Sequence, residues 1–277
     1  MDRTDLVHRI SKDTRLCISL AGRPSNIGTR FHNFLYAELG LDFVYKAFST
    51  TDLAAAVGGI RALGIRGCGV SMPYKQRCIE LLDELDPSAE VIASVNTIVN
   101  TDGRLRGYNT DYLAVARLLA EHRVRTDGEA AVLGSGGMAR AVVAALRDGG
   151  YRPGFVVARN AETGQRLAEQ YGFRWCPDLA QRRPALLVNA TPVGMAGGPD
   201  ADRLPVAPEV VDAASTVFEV VAVPEVTPLL RRATAAGKSV ISGTEVIALQ
   251  AAEQFALYTG VHPSADQIGR ASEYSRG

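Results

Sequence analysis

The stretch AAVLGSGGMARAVVAALRDGG, residues 130–150, constrains the fold more than any other part of the chain. Small apolar residues lead into a glycine-rich turn, and an amphipathic run stopped by two glycines follows. That pattern predicts a strand, a tight loop and a helix, with G-x-G-x-x-A spacing at Gly134, Gly136 and Ala139. The glycines permit a sharp turn and close approach of a diphosphate, to which the helix N-terminus presents unpaired backbone N–H groups. A second strand, FVVARN (155–160), follows at the right distance. An acidic residue at its end would hold a ribose 2′-hydroxyl, whereas Arg159 suits a 2′-phosphate. The loop therefore predicts an NADP site built from Gly134, Ser135, Gly136, Gly137, Met138 and Ala139, with Ala158, Arg159 and Asn160 at the second strand. The plainer alternatives are a purely structural glycine turn and a solvated arginine, and nearby Glu162 keeps NAD in view.

Strands and helices alternate along the rest of the chain. RLCISLAG (15–22), FVYKAFS (43–49) and IRGCGVS (65–71) read as strands, separated by helices over about Gly28–Leu39 and 51–64. ASVNTIVN and RLRGYNT flank the turn TDG as a hairpin, and a helix follows from Asp111 to Glu121. The polar stretch RVRTDGEA (123–130) is the best junction. Beyond it ALLVNATP, STVFEVVA and KSVISG continue the strands, and TEVIALQAAEQFALYTG is apolar at helical spacing. Such alternation implies right-handed βαβ units and parallel sheets. The expected domains are 1–110 joined by 244–277, a connecting helix and junction at 111–127, and a dinucleotide-binding domain at 128–243.

Thirty basic and thirty acidic residues balance to zero net charge, and no basic block points to a nucleic-acid partner. Cys17, Cys68, Cys78 and Cys176 form no CxxC pair and no zinc-like spacing, so no metal is expected and the thiols suit a reducing compartment. MDRTDLVHRISKD is too polar for a secretory leader, and no apolar run is long enough to span a bilayer. These features predict a cytoplasmic protein with a small-molecule partner, as a monomer or homodimer.

A second cluster carries chemistry. GCGVSMPYK (67–75) is small and apolar until it ends on Lys75, as a buried strand leaving the core at a pocket would. SVNTIVN offers Ser94, Asn96 and Asn100, and GYNTDY offers Asn109, Thr110 and Asp111. Amides and hydroxyls match the hydroxyls of a small polyol acid, and a lysine in a partly apolar pocket can accept a proton. On residue types alone, Asp111 reads equally well as a helix cap and Lys75 as a solvated side chain.

Taken together these segments resemble the shikimate dehydrogenase family. GCGVSMPYK is similar to its G-x-N-V-T-x-P-x-K, SVNTIV to its A-V-N-T, and GYNTDY to its G-x-N-T-D-G. GSGGMARAV, NATPVGM and VTPLL are similar to its glycine loop, N-A-T-x-x-G-M and T-P-L-L, in family order over nearly the whole chain. The resemblance implies an α/β fold of two domains. The first is a substrate domain with a mainly parallel sheet, and the second is a Rossmann-type NADP domain whose last helices return to the first. It also implies NADP-linked interconversion of shikimate, or a related hydroxylated ring acid, and its 3-dehydro ketone, within aromatic amino acid biosynthesis. Lys75 and Asp111 match the family's catalytic pair, with Lys75 taking the hydroxyl proton and Asp111 orienting it. Ser71, Asn96 and Gln250 match substrate-binding positions, and Thr191 and Gly243 are expected at the cofactor.

Departures accompany the match. Where the family usually has S-x-S-P for the substrate carboxylate, Asn26 and Gly28 stand at the serine positions, with Ser25 and Thr29 beside them as candidate replacements. Arg23 and Arg30 add positive charge nearby. Gly69 replaces a usual asparagine, Ala222 a common tyrosine and Glu245 a common glycine, and one of two basic phosphate contacts near Arg159 is missing. The pattern suggests a divergent branch. Its alternatives are a quinate/shikimate dehydrogenase of ring-acid catabolism, a folate-linked dehydrogenase, or a non-catalytic NADP- or metabolite-binding module.

Overall fold

The computed structural model describes residues 10–152 and 154–277. Residues 1–9, which carry most of the segment read above as too polar for a leader, lie outside the described residues. The chain divides into two compact α/β units, one running up to Thr110 and resuming at Ala248–Gly277, the other spanning Asp111–Ile247.

The first unit opens with β1 (Arg15–Leu20), α1 (Ile27–Glu38), β2 (Phe43–Phe48), α2 (Leu53–Ala62) and β3 (Gly67–Val70). β4 (Glu84–Leu85), the short α3 (Pro87–Glu90), β5 (Thr97–Thr101) and β6 (Arg104–Tyr108) follow. The six strands form one sheet in the order β2-β1-β3-β5-β6-β4. β1 pairs in parallel with β2 and β3, as alternating strands and helices require. β5 runs antiparallel to both neighbours, because the Asp102–Gly103 turn, with both residues at positive φ, folds β5 straight back into β6. Alternation along β1 separates the two faces: Ile18 and Leu20 join Val57 and Ile60 of α2, Cys68 and Ile98 in a buried cluster.

The opposite face is aromatic. Phe31, His32, Leu35 and Tyr36 of α1 are buried there with Tyr45 of β2. The last helices, whose first-unit residues begin at Ala248, close this face. α9 (Gly243–Thr259) brings Phe255 and Tyr258, and α10 (Ala265–Arg276) packs against α1. Gly67 is needed here, since a Cβ would lie 2.2 Å from the Tyr258 ring.

Between these segments lie α4 (Thr110–Glu121), β7 (Ala130–Leu133), α5 (Gly137–Asp148), β8 (Phe155–Val157) and α6 (Ala161–Tyr171). β9 (Arg174–Cys176), β10 (Leu186–Asn189), α7 (Pro208–Ala213), β11 (Thr216–Glu219), α8 (Pro228–Ala235) and β12 (Ser239–Ile241) complete the second unit. Its sheet is wholly parallel, in the order β12-β11-β10-β7-β8-β9. Counted from β7, that is the doubly wound order of dinucleotide-binding folds, reversing direction between β7 and β10. β7, β10 and β11 are buried along their whole length, as strands covered on both faces must be.

Candidate active site

The glycine loop joins β7 to α5 as its sequence predicts. Gly134 has φ of +108°, and a Cβ there would meet the Ala190 carbonyl oxygen at 2.9 Å. Gly136 caps α5 with extended backbone, and nothing lies within 4 Å of a Cβ built on it or on Gly137. The helix N-terminus is therefore open to close approach by an anion. Ala139 is completely buried and packs α5 against the unit, while Met138 is half-buried.

A cavity of about 760 Å³ opens at the ends of β7, β8 and β10, where the strand order reverses. Gly134, Ser135 and Gly136 line it with Ala158, Arg159, Asn160 and Thr191. Arg159 is exposed at the wall. Asn160 lies beyond β8 rather than within it, and its side chain caps α6 by accepting from the Thr163 N–H at 3.0 Å. The Thr163 hydroxyl also pairs with Ser135 Oγ at 2.8 Å, which ties the glycine loop to α6.

Thr191 is held from below. Its N–H and hydroxyl both donate to Asn189 Oδ1, at 3.1 and 2.6 Å. Asn189 Nδ2 donates in turn to the fully buried Glu219 at 2.9 Å. Glu219 also accepts from the Val221 N–H at 3.0 Å and the Thr227 hydroxyl at 2.9 Å. Burial outweighs these bonds and pushes the carboxyl up to about 7.

Gly243 sits at the start of α9, where a Cβ would come within 2.3 Å of the Val221 carbonyl oxygen. Glu245 has a local explanation. Ser242 and Glu245 form a reciprocal cap, with the Ser242 N–H donating to Oε2 at 2.7 Å and the Glu245 N–H to Ser242 Oγ at 3.3 Å. The other carboxylate oxygen meets His122 Nε2 at 2.8 Å. The S-x-x-E signature was readable in the sequence.

In the first unit, β3 is buried throughout and the chain then surfaces at Ser71, Met72 and Pro73. Lys75 is half-buried, and its carbonyl accepts from the Val95 N–H at 2.8 Å. That bond ties the lysine's backbone to the residue before Asn96. Asn96 is itself buried, and its carbonyl accepts from the Val70 N–H at 2.7 Å.

The Asn96 side-chain oxygen is crowded with donors: Thr97 Oγ1 at 2.8 Å, the Thr110 N–H at 2.8 Å and Thr110 Oγ1 at 3.1 Å. A backbone N–H can only donate, so the amide orientation is fixed. Nδ2 is left buried without a hydrogen-bond partner. Thr110 Oγ1 also reaches Gln250 Oε1 at 3.4 Å. The structure thus brings Asn96, Thr110 and Gln250 together.

Asn100 and Asn109 are occupied elsewhere, contrary to the sequence reading that grouped them with Asn96. Asn100 donates to the Ile60 carbonyl at 2.9 Å and accepts from the Gly103 N–H at 2.8 Å, bracing the hairpin. Asn109 donates to the Ser94 carbonyl at 2.9 Å. Asp111 lies in the first turn of α4, where a carboxylate favours the helix dipole. Ser25 and Asn26 are exposed, and the Asn26 side chain makes no capping bond to α1. Thr29 Oγ1 is buried without a partner.

The chain is similar to known proteins over nearly its whole length. A profile described as the shikimate dehydrogenase substrate binding domain matches residues 26–98. A shikimate dehydrogenase-like protein of Haemophilus influenzae is 51% identical over 96% of this chain and 98% of its own length. The chain belongs to the shikimate dehydrogenase family. Among solved members of that family, a shikimate 5-dehydrogenase-like protein superposes with a TM-score of 0.95 at 51% identity, covering 97% of this chain and all of that one. The shikimate 5-dehydrogenase of Thermus thermophilus, solved with NADP(H) and shikimate, superposes with a TM-score of 0.85 at 32% identity, covering 94% and 99% of the two chains.

Among the described residues, no group of His, Cys, Asp or Glu is placed to hold a metal ion, and no helix is long and apolar enough to cross a membrane.

Proposed function

We propose that this protein is an NADP-dependent oxidoreductase that interconverts shikimate, or a closely related hydroxylated ring acid, and its 3-dehydro ketone. The observation that carries the reading is the Asn96 amide, whose oxygen is saturated by Thr97 and Thr110 while its nitrogen is buried and unmatched. A buried donor of this kind is matched by a ring hydroxyl. The Thermus thermophilus relative was solved with shikimate and NADP(H), which supports the same assignment.

The residues of the second unit fit NADP. The forced glycine at 134, the open backbone over Gly136 and Gly137, and Arg159 on the cavity wall suit a diphosphate and a 2′-phosphate. When bound, NADP supplies the hydride acceptor. Ser135, Ala158, Asn160 and Thr191 complete the wall, and Gly243 is assigned to the same end by its match to the family. In the first unit Ser25, Asn26, Thr29 and Ser71 are assigned to the substrate with Asn96 and Gln250. Lys75 accepts the hydroxyl proton, and Asp111 is its partner carboxylate, both by their match to the family's pair. We place the enzyme in the cytoplasm, as a monomer or homodimer. Four unpaired, buried thiols suit a reducing compartment, and burial holds Cys17 and Cys78 up at about 11.

The test is NADP⁺ reduction with shikimate and quinate in parallel, repeated with NAD⁺ and with Lys75→Ala. Loss of a general base should lower kcat about 10²–10⁴-fold while leaving NADP⁺ affinity in place. An unchanged kcat removes Lys75 from the chemistry, and turnover confined to quinate moves the substrate assignment.

A further inference from the structure

Below Asn96 lies a side chain that the motif comparison did not single out. Gln254, on α9, is 7% exposed. Its Nε2 donates to the Asn96 carbonyl at 3.2 Å and to Thr97 Oγ1 at 3.0 Å, so both of its N–H bonds are used. Gly69 makes the room. It pairs with Thr97 across the sheet, and a Cβ on it would lie 2.9 Å from the Tyr45 hydroxyl and 3.6 Å from Gln254 Nε2.

The hydrogens along this chain have a direction. Gln254 Nε2 can only donate, so Thr97 Oγ1 accepts from it and sends its single hydrogen to Asn96 Oδ1. The Thr110 hydroxyl has one hydrogen, shared between Asn96 Oδ1 at 3.1 Å and Gln250 Oε1 at 3.4 Å. Asn96 then receives hydrogens at its oxygen and leaves its N–H group for the ligand.

We propose that Gln254 is a positioning residue that directs the Thr97 hydrogen onto Asn96 Oδ1, reinforcing the orientation that the Thr110 N–H imposes, so that the buried Asn96 Nδ2 acts as a donor to an acceptor oxygen on the ligand ring. This rests on the dehydrogenase reading above. The device works without charge. His32, stacked on Tyr45 at 4.4 Å in the same buried layer, is held neutral by burial, which lowers it to about 3 against an opposing contribution from the Gln254 side chain.

Two substitutions separate direction from packing. Gln254→Met keeps the volume and removes both donors, and should raise the shikimate KM about threefold to tenfold. Gln254→Glu keeps the shape but accepts where glutamine donates. It draws the Thr97 hydrogen away from Asn96 and should raise that KM further than Gln254→Met does. The NADP⁺ KM should stay within about twofold in both. If Gln254→Glu equals wild type, or if both KM values rise together, the role is packing alone and the proposal falls. A second readout needs no substrate: the side-chain amide NMR signals of Asn96. They should shift in Gln254→Glu and hold still in Lys75→Ala, and signals that ignore Gln254→Glu would also overturn the proposal. Signals that shift in Gln254→Glu, in a protein whose wild type turns over neither shikimate nor quinate, would retain the hydrogen-bond chain and reject the dehydrogenase reading.

Discussion

Each of the two units carries a buried polar network, and the two networks differ in how they end. The one in the second unit closes on itself. Every donor around Glu219 finds an oxygen, and the network's product is a fixed Thr191 loop on the cavity wall. The one in the first unit is neutral and stops short, with Asn96 Nδ2 buried and unmatched. A closed network is scaffolding, and an open one asks for a ligand. The network with the titratable group is the costlier to bury, because burial disfavours the ionised form of Glu219.

The largest test of the contrast is pH, because the two units carry buried titrating groups of opposite sign. His32 is lowered from 6.5 to about 3 by burial. An unfolded chain takes up that proton below 6.5 and the folded chain does not, so stability on the order of 5 kcal/mol is lost as pH falls from 6.5 toward 3. Glu219 is raised from 4.5 to about 7 by burial. Its contribution is full below 4.5 and is lost as pH rises through 7, on the order of 3 kcal/mol. The two slopes oppose each other between 4.5 and 6.5, where stability should be nearly flat. In Glu219→Gln the remaining curve should rise steadily with pH up to 6.5. Urea midpoints at stepped pH would show it, with Trp175, the single tryptophan, reporting the second unit. A curve of unchanged shape in Glu219→Gln would remove the carboxyl from the account.

A smaller test uses glycines that each unit cannot spare. A Cβ at Gly67 meets the Tyr258 ring at 2.2 Å, and one at Gly164 meets the Trp175 indole at 2.4 Å. Gly67→Ala and Gly164→Ala should each cost about 2 kcal/mol by overpacking. Gly67→Ala displaces α9 and should raise the KM for the ring acid. Gly164→Ala should raise the NADP⁺ KM and shift the Trp175 emission. Kinetic effects that do not sort by unit would break the division of labour.

The smallest effect sharpens the assignment of one residue. Asn160→Ala should cost about 1 kcal/mol as a lost helix cap. If Asn160 also touches NADP, the NADP⁺ KM rises with it. A lowered melting temperature with an unchanged KM would leave it a cap alone.

How much of this was legible in the sequence depended on how far each residue reaches for its partner. The glycine loop at 134–139 and the Asp102–Gly103 hairpin turn were readable, because backbone conformation is decided by residues next to one another. Asn100 and Asn109 were misgrouped with Asn96 because their partners, the carbonyls of Ile60 and Ser94, lie far along the chain. β9 is three residues long and reads Arg-Trp-Cys, too short to show alternation. α10 is mostly polar, yet its Ser264–Gln267 capping box is legible in the sequence. Gln254 stayed silent because nothing in its neighbourhood along the chain reveals that it meets Thr97.

The interruption of the first unit sets an order of manufacture. As the chain leaves the ribosome, β1 to β6 emerge first and the whole of Asp111–Ile247 follows before α9 is complete. Until then the aromatic face around Tyr36 and Tyr45 has no lid, and the space beside Gly69 has no amide. The nucleotide half can mature while its host waits unfinished. The last thirty residues are therefore an assembly step in their own right, a keystone delivered after the arch it locks.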